Sequence, residues 1–220
     1  MQVTLMEELK QKLSSADLSD RLRAINGLRE LPDTEAVPLL LEAVRDSNAR
    51  VRYAAVSLLG QKADGSVLDV LRSLLKTDPE FDVRAAAAAA LGDLHDAGAF
   101  EDLLEAYRHD PEWLVRFSVV AALGELADPR AFEALVGALE SDPLIRTVAA
   151  GALGQLGDLR AIPALIRFIK DEDWQLRYRI AQSLGQLGGA EARAALEQLT
   201  TDAIEAVSTE ARTALERMAS

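Results

Sequence analysis

The chain has 220 residues, 49% of them apolar, a formal net charge of −12 and no cysteine. That composition excludes a disordered chain, and no apolar run approaches the ~20 residues of a membrane-spanning helix. The acid excess argues against a nucleic-acid-binding face, which needs clustered Lys and Arg, and the lack of cysteine removes disulfides, thiol catalysis and cysteine metal sites.

The N-terminus, Met1 to Glu8, lacks the basic start and apolar core of a signal peptide, so the expected location is the cytoplasm, without membrane insertion. Residues 1–33 read as a helix around Leu5, Leu9 and Leu13 followed by one from Leu18 to Leu31. This unit departs from those that follow, with Ser15 where they have Asp and Asp20 where they have Val, Ile or Leu. Terminal repeats often differ because one face meets water, so it reads as a cap. Residues 34–63 and 64–95 are regular two-helix units, and 96–127 contains His109, Trp113 and Phe117. Units 128–157 and 158–188 open alike, with Asp128-Pro129-Arg130-Ala131 and Asp158-Leu159-Arg160-Ala161. The last, 189–220, reads as a second cap. No linker interrupts the chain, which is expected to form one domain over 1–220.

The unit boundaries follow from a repeat. Val115-Arg116-Phe117-Ser118-Val119-Val120-Ala121-Ala122-Leu123-Gly124 recurs with its arginine at Arg21, Arg52, Arg84, Arg116, Arg146 and Arg177, and with Ser208 in the last copy. The steps are 31, 32, 32, 30, 31 and 31 residues. A fixed period in this range marks stacked supersecondary units. Each unit has helical apolar spacing in its first half, as in Ala164 to Ile169, then a polar turn, then the Val-Arg helix. Alanine runs such as Ala85 to Ala90 form helices well and strands poorly. The fold class is therefore all-α, a right-handed α-α superhelix of about seven two-helix repeats. In Asp78-Pro79, Asp110-Pro111 and Asp142-Pro143 the Asp is expected to cap the second helix and the Pro to open it. The Gly after the repeat leucine, from Gly60 to Gly185, is expected to end that helix in a left-handed cap.

Counting 100° per residue from the repeat arginine sorts the second helix by face. Positions −1, +3, +4, +6 and +7 are apolar almost throughout and form the core side, while +1, +2, +5 and +9 point away. In stacked helical repeats this opposite side floors a concave groove. The groove residues are Tyr53, Ser57, Phe117, Ala121, Tyr178, Arg179 and Gln182, with Trp113 and Trp174 one turn before Phe117 and Tyr178. Small residues beside exposed aromatics suit a partner site, because aromatic anchors dominate interface energetics. The alternative is that the small residues let tightly curved helices approach and the tryptophans pack on the preceding helix.

Asp46, Asp78, Asp110 and Asp171 each stand six residues before an arginine. The loop should bring such pairs into neighbouring units, as a structural ladder of exposed pairs contributing about 0–1 kcal/mol each. No catalytic constellation emerges. His95 and His109 lie at a helix end or turn without a second ligand at metal-site spacing, the serines lack a His partner, and each repeat glycine is isolated. No catalytic or metal-binding residue is assigned.

The phrase Leu156-Gly157-Asp158-Leu159-Arg160-Ala161-Ile162-Pro163-Ala164-Leu165, with the Val-Arg helix and the repeat step, resembles the HEAT-like repeats of phycobilin lyases over nearly the whole chain. The stretch Asp46 to Ser57 and the overall length are similar to the phycobilisome-degradation members of that group in cyanobacteria. The resemblance implies a protein-binding module engaging phycobiliproteins, phycocyanin or allophycocyanin. No cofactor is required, although a linear tetrapyrrole such as phycocyanobilin could bind non-covalently, stacked on Trp113, Phe117, Trp174 and Tyr178, with Arg23 and Arg179 at its propionates. It also leaves open a lyase, or one subunit of one, acting on the bilin–cysteine thioether, and a HEAT scaffold for an unrelated partner. With no cysteine, the chain itself cannot hold a bilin by a thioether.

Overall fold

The computed structural model describes residues 5–62 and 65–219. Among them are fourteen α-helices and no strand, arranged as seven consecutive helix pairs. The helices are α1 Leu5–Leu13 and α2 Leu18–Leu28; α3 Asp33–Ala43 and α4 Ala49–Lys62; α5 Leu68–Thr77 and α6 Phe81–Asp93; α7 Phe100–His109 and α8 Trp113–Glu125. They continue with α9 Phe132–Ala138 and α10 Pro143–Leu156; α11 Ala161–Ile166 and α12 Trp174–Leu187; α13 Gly189–Leu199 and α14 Glu205–Ala219. The chain divides into two compact units, one ending at Ser118 and the other beginning at Val119, so the division falls within α8.

In the N-terminal unit α1 packs on α2, α3 on α4 and α5 on α6, while the second helices also pack on one another, α2 on α4 and α4 on α6. In the C-terminal unit the same scheme links α9 with α10, α11 with α12 and α13 with α14, and α12 packs on both α10 and α14. The core follows the expected positions. Val51, Ala55, Val56, Leu58 and Leu59 of α4 are buried, as are Val83, Ala87, Ala88, Ala90 and Leu91 of α6. The last repeat departs, with Arg212 exposed where earlier units bury an apolar residue.

The repeat glycine is not a cap. Gly60, Gly124, Gly154 and Gly185 lie inside their helices, which run on past them. A Cβ on Gly60 would stand 2.8 Å from the Ala90 Cα, one on Gly124 2.6 Å from the Ala152 Cα, and one on Gly185 2.7 Å from the Ala214 Cβ. These glycines let successive second helices touch backbone to backbone, a close approach that any side chain would prevent. The left-handed residue comes four positions after the repeat leucine, at His95 (φ 50°), Ala127 (φ 52°), Gly157 (φ 73°) and Gly188 (φ 74°). Two of these four have a side chain, which leaves local strain at those turns.

The Asp-Pro expectation holds once. Asp142 caps α10, accepting from the Leu144 and Ile145 amides, and Pro143 opens it. By contrast, α6 and α8 begin at Phe81 and Trp113, beyond Pro79 and Pro111. The Asp78 and Asp110 carboxylates accept from the Glu80 and Glu112 amides in the turn, and their remaining capacity goes to the preceding repeat.

That remaining capacity makes the ladder. Arg52 Nε and Nη2 donate to the two oxygens of Asp78 at 2.8 and 2.9 Å, and its Nη1 donates to the Asp46 carbonyl at 3.0 Å. Arg84 does the same with Asp110 and the Asp78 carbonyl. Arg21–Asp46 continues the series in the N-terminal unit, with Arg146–Asp171 and Arg177–Asp202 in the C-terminal one. Each arginine thus closes its own inter-helix loop and grips the Asp of the next repeat. The rungs are not exposed: the Asp78, Asp110 and Asp202 side chains keep 3%, 8% and 8% of their surface. Burial works to raise the Asp78 and Asp110 carboxyls, but the facing guanidinium and the turn amide outweigh it and hold both below the ordinary range.

Candidate functional site

The side of the second helices opposite the core forms a trough in each unit. In the N-terminal unit it has a volume of ≈ 570 Å³, with Tyr53, Ser57 and Gln61 of α4 facing Ala85, Ala89 and Asp93 of α6. These are the +1, +5 and +9 positions of two adjacent repeats. Tyr53 keeps 48% of its surface exposed. Ala85 and Ala86 are buried rather than outward, because a methyl group on the floor is covered by the walls.

The α8 residues that reach this trough are Leu114 and Ser118, not Trp113 and Phe117. Trp113 is half exposed and meets the half-buried Phe117 edge to face, with ring centroids 6.4 Å apart and planes at 73°. The two therefore stack as their spacing implies, beside the lining rather than in it. The trough also takes Arg50 and Asp82, which sequence reasoning passed over. Arg50, Asp82 and Leu114 all occupy position −2, which at 100° per residue lies at about 160°, in the middle of the arc spanned by +1, +2, +5 and +9. Extending the same count backwards would have found them.

In the C-terminal unit, Arg179, Gln182 and Gln186 of α12 face Glu210 and Arg217 of α14 across a trough of ≈ 370 Å³. Arg179 Nη1 donates to Gln182 Oε1 at 3.0 Å, and Gln182 Nε2 donates to the Tyr178 hydroxyl at 3.1 Å. The Arg179 stem lies over Gly151, where a Cβ would stand 3.0 Å from its Cδ. Tyr178, Arg179 and Gln182 thus form one hydrogen-bonded strip, with Tyr178 half-buried. Trp174 is 42% exposed, and Ala121 is half-buried on α8.

Electrostatically the N-terminal trough is acidic, since Glu80, Asp82 and Asp93 line it with Arg50. Burial raises the Asp93 carboxyl above its ordinary value, with His95 pulling the other way. Asp93 Oδ2 lies 3.0 Å from where a Cβ on Gly60 would stand, so the repeat glycine also makes room for this carboxylate. Among the described residues no group of three His, Cys, Asp or Glu side chains could hold a metal ion, and no helix is long and apolar enough to cross a membrane. His95 and His109 are exposed, in a turn and at the end of α7.

Among curated proteins none matches this sequence. Among solved structures, the complex of CpcE and CpcF of phycocyanin lyase from Nostoc sp. PCC7120 is similar, with a TM-score of 0.66 and 23% identity, covering 99% of this chain and 96% of that chain. YibA of E. coli follows, with a TM-score of 0.62 and 18% identity over 94% of this chain and 80% of that one. Kap95p, in a complex with RanGDP, has a TM-score of 0.61 and 15% identity over 97% of this chain but 35% of its own. Likeness at these identities speaks for the fold alone. The model for HEAT repeats matches residues 6–92, 68–150 and 138–216. Seven helix pairs, with arginine rungs linking repeats within each unit and matched along almost their whole length by that model, belong to the HEAT repeat family.

Proposed function

We propose that this HEAT-repeat chain is a non-enzymatic protein-binding module that engages phycobiliproteins, phycocyanin or allophycocyanin, as NblB does in phycobilisome degradation, with the outward face of its second helices as the partner face. One observation carries the binding part: Tyr53 stands exposed over a trough built from the same positions of adjacent repeats. An aromatic ring held open at a groove gains on contact with a partner. The antenna part is supported by the Leu156 to Leu165 phrase and by the full-length structural likeness to the CpcE–CpcF complex.

The same likeness supports a second reading, a lyase or lyase subunit that acts on the bilin–cysteine thioether. One experiment separates the two. Chromophore-bearing phycocyanin is mixed with the purified chain, passed through gel filtration and followed by its visible spectrum. Co-elution with an unchanged spectrum is the expected result. Bilin leaving the phycocyanin chain would favour the lyase, and neither effect would sink both.

A further inference from the structure

The N-terminal trough has a charge that the antenna reading does not use. Ala85, Ala86, Ala89 and Ala90 of α6 floor it, Ala89 exposed and the others covered by the walls, so the floor itself is built of methyl groups. Around this floor stand Glu80, Asp82 and Asp93, against Arg50. The ladder spends its arginines elsewhere, Arg52 on Asp78 and Arg84 on Asp110. Glu80 occupies the N-cap of α6 without its side chain bonding the helix amides. Asp93 is exposed and stands over Gly60, its Oδ2 3.0 Å from where a Cβ on that glycine would lie.

We infer that this trough docks a helix of a protein partner through its lysine or arginine side chains. The methyl floor receives the small or apolar face of that helix, Tyr53 covers the stems of the cationic side chains, and Glu80, Asp82 and Asp93 take the charges. The trough's volume of ≈ 570 Å³ is in the range of sites that bury a few side chains. Charge complementarity decides the occupant. A linear tetrapyrrole has propionates and would meet like charge here, so this trough is assigned to polypeptide and not to bilin. The inference rests on the second-helix face being the partner face, and its test is separable from that of the antenna partner.

The test uses the full chain and a fluorescent, alanine-rich helical peptide with arginine at every fourth position, beside a counterpart with glutamate at the same places. Anisotropy titrations should show the arginine peptide bound, more weakly as salt rises, and the glutamate peptide unbound. Glu80→Gln with Asp82→Asn should weaken the arginine peptide roughly tenfold without lowering the melting temperature, and Asp93→Asn should act in the same direction. Equal affinity for wild type and variants, no binding of the arginine peptide, or its displacement by biliverdin would overturn the inference. Phycocyanin that still co-elutes with a chain bearing Glu80→Gln, Asp82→Asn and Asp93→Asn together would overturn this docking mode while leaving the antenna reading intact. Charge-dependent capture of the peptide without phycocyanin co-elution would do the reverse.

Discussion

Replacing Arg52 by alanine removes the guanidinium that joins the second and third repeats. Four hydrogen bonds go with it: two to Asp78, at 2.8 and 2.9 Å, and two to the Asp46 and Ser47 carbonyls, at 3.0 and 3.3 Å. The partner left behind matters most. The Asp78 side chain retains 3% of its surface and is left with the Glu80 amide donating to it at 3.0 Å. Breaking a buried pair from one side costs about 3–5 kcal/mol, and Arg52 itself keeps a 12% opening to solvent through which water can relax the site. The expected loss is therefore about 3 kcal/mol, several times that of an exposed pair. Asp78→Ala should cost a comparable amount. The double variant should cost clearly less than the sum, because neither partner is then left alone, giving a coupling of about 2 kcal/mol. Urea unfolding followed by helical circular dichroism measures all three, with the slope monitored because repeat arrays can lose cooperativity. If Arg52→Ala costs less than about 0.5 kcal/mol, the rung behaves as a surface pair and the ladder argument fails.

The other expectations concern single sites and pH. Gly124→Ala gains helix propensity but places a methyl 2.6 Å from the Ala152 backbone, so it should destabilise by about 1–3 kcal/mol, and a neutral melt would contradict the close-approach role. Ala127→Gly relieves a left-handed alanine at φ 52° and should stabilise by about 0.5–1 kcal/mol, read as a rise in melting temperature. The folded carboxyls of Asp78, Asp102, Asp110 and Asp202 all lie below the ordinary 3.8. Their contribution is thus full above that value and fades as pH falls through it toward the folded values, so unfolding free energy should be nearly level from neutrality to about pH 5 and drop steeply below about pH 4. Asp93 is displaced the other way. Asp93 is exposed, so solvent screens the effect: Asp93→Asn should raise the melting temperature at pH 7 only slightly, and the difference should shrink as acid protonates the wild-type carboxyl.

The period, the helix pairing and the buried face were legible because each is written in apolar spacing, which backbone geometry converts directly into packing. Glycine was harder to read. It serves both close approach and left-handed turns, and here the two tasks fall at different positions. Gly60 and Gly124 hold helices together, whereas His95 and Ala127 occupy turns that glycine would suit better. Aspartate was ambiguous in the same way. Asp142 caps its helix as its neighbour Pro143 suggests, but Asp78 and Asp110 are drawn into the turn by an arginine of the previous repeat. No local pattern shows that, since the partner lies 26 residues away. Among the trough residues, Tyr53 and Ser57 were visible by counting forward from the arginine. Arg50, Asp82 and Leu114 were not, because the count began at the residue that anchors the ladder.

Carboxylates of one chemical kind play opposite parts on the two sides of the second helices. Asp78 and Asp110 are buried, but each faces a guanidinium and a turn amide, so ionisation favours the folded state. Asp93 is exposed and faces no guanidinium or turn amide of this kind; its partial burial raises the carboxyl, with His95 opposing it. The equivalent position holds Glu30, Gln61, Glu125, Gln155, Gln186 and Arg217 in the other repeats, so the array accepts an acid, an amide or, in the last repeat, an arginine there. The paired carboxylates thus hold repeats together, whereas Glu80, Asp82 and Asp93 along the trough face solvent, where a cationic partner can reach them.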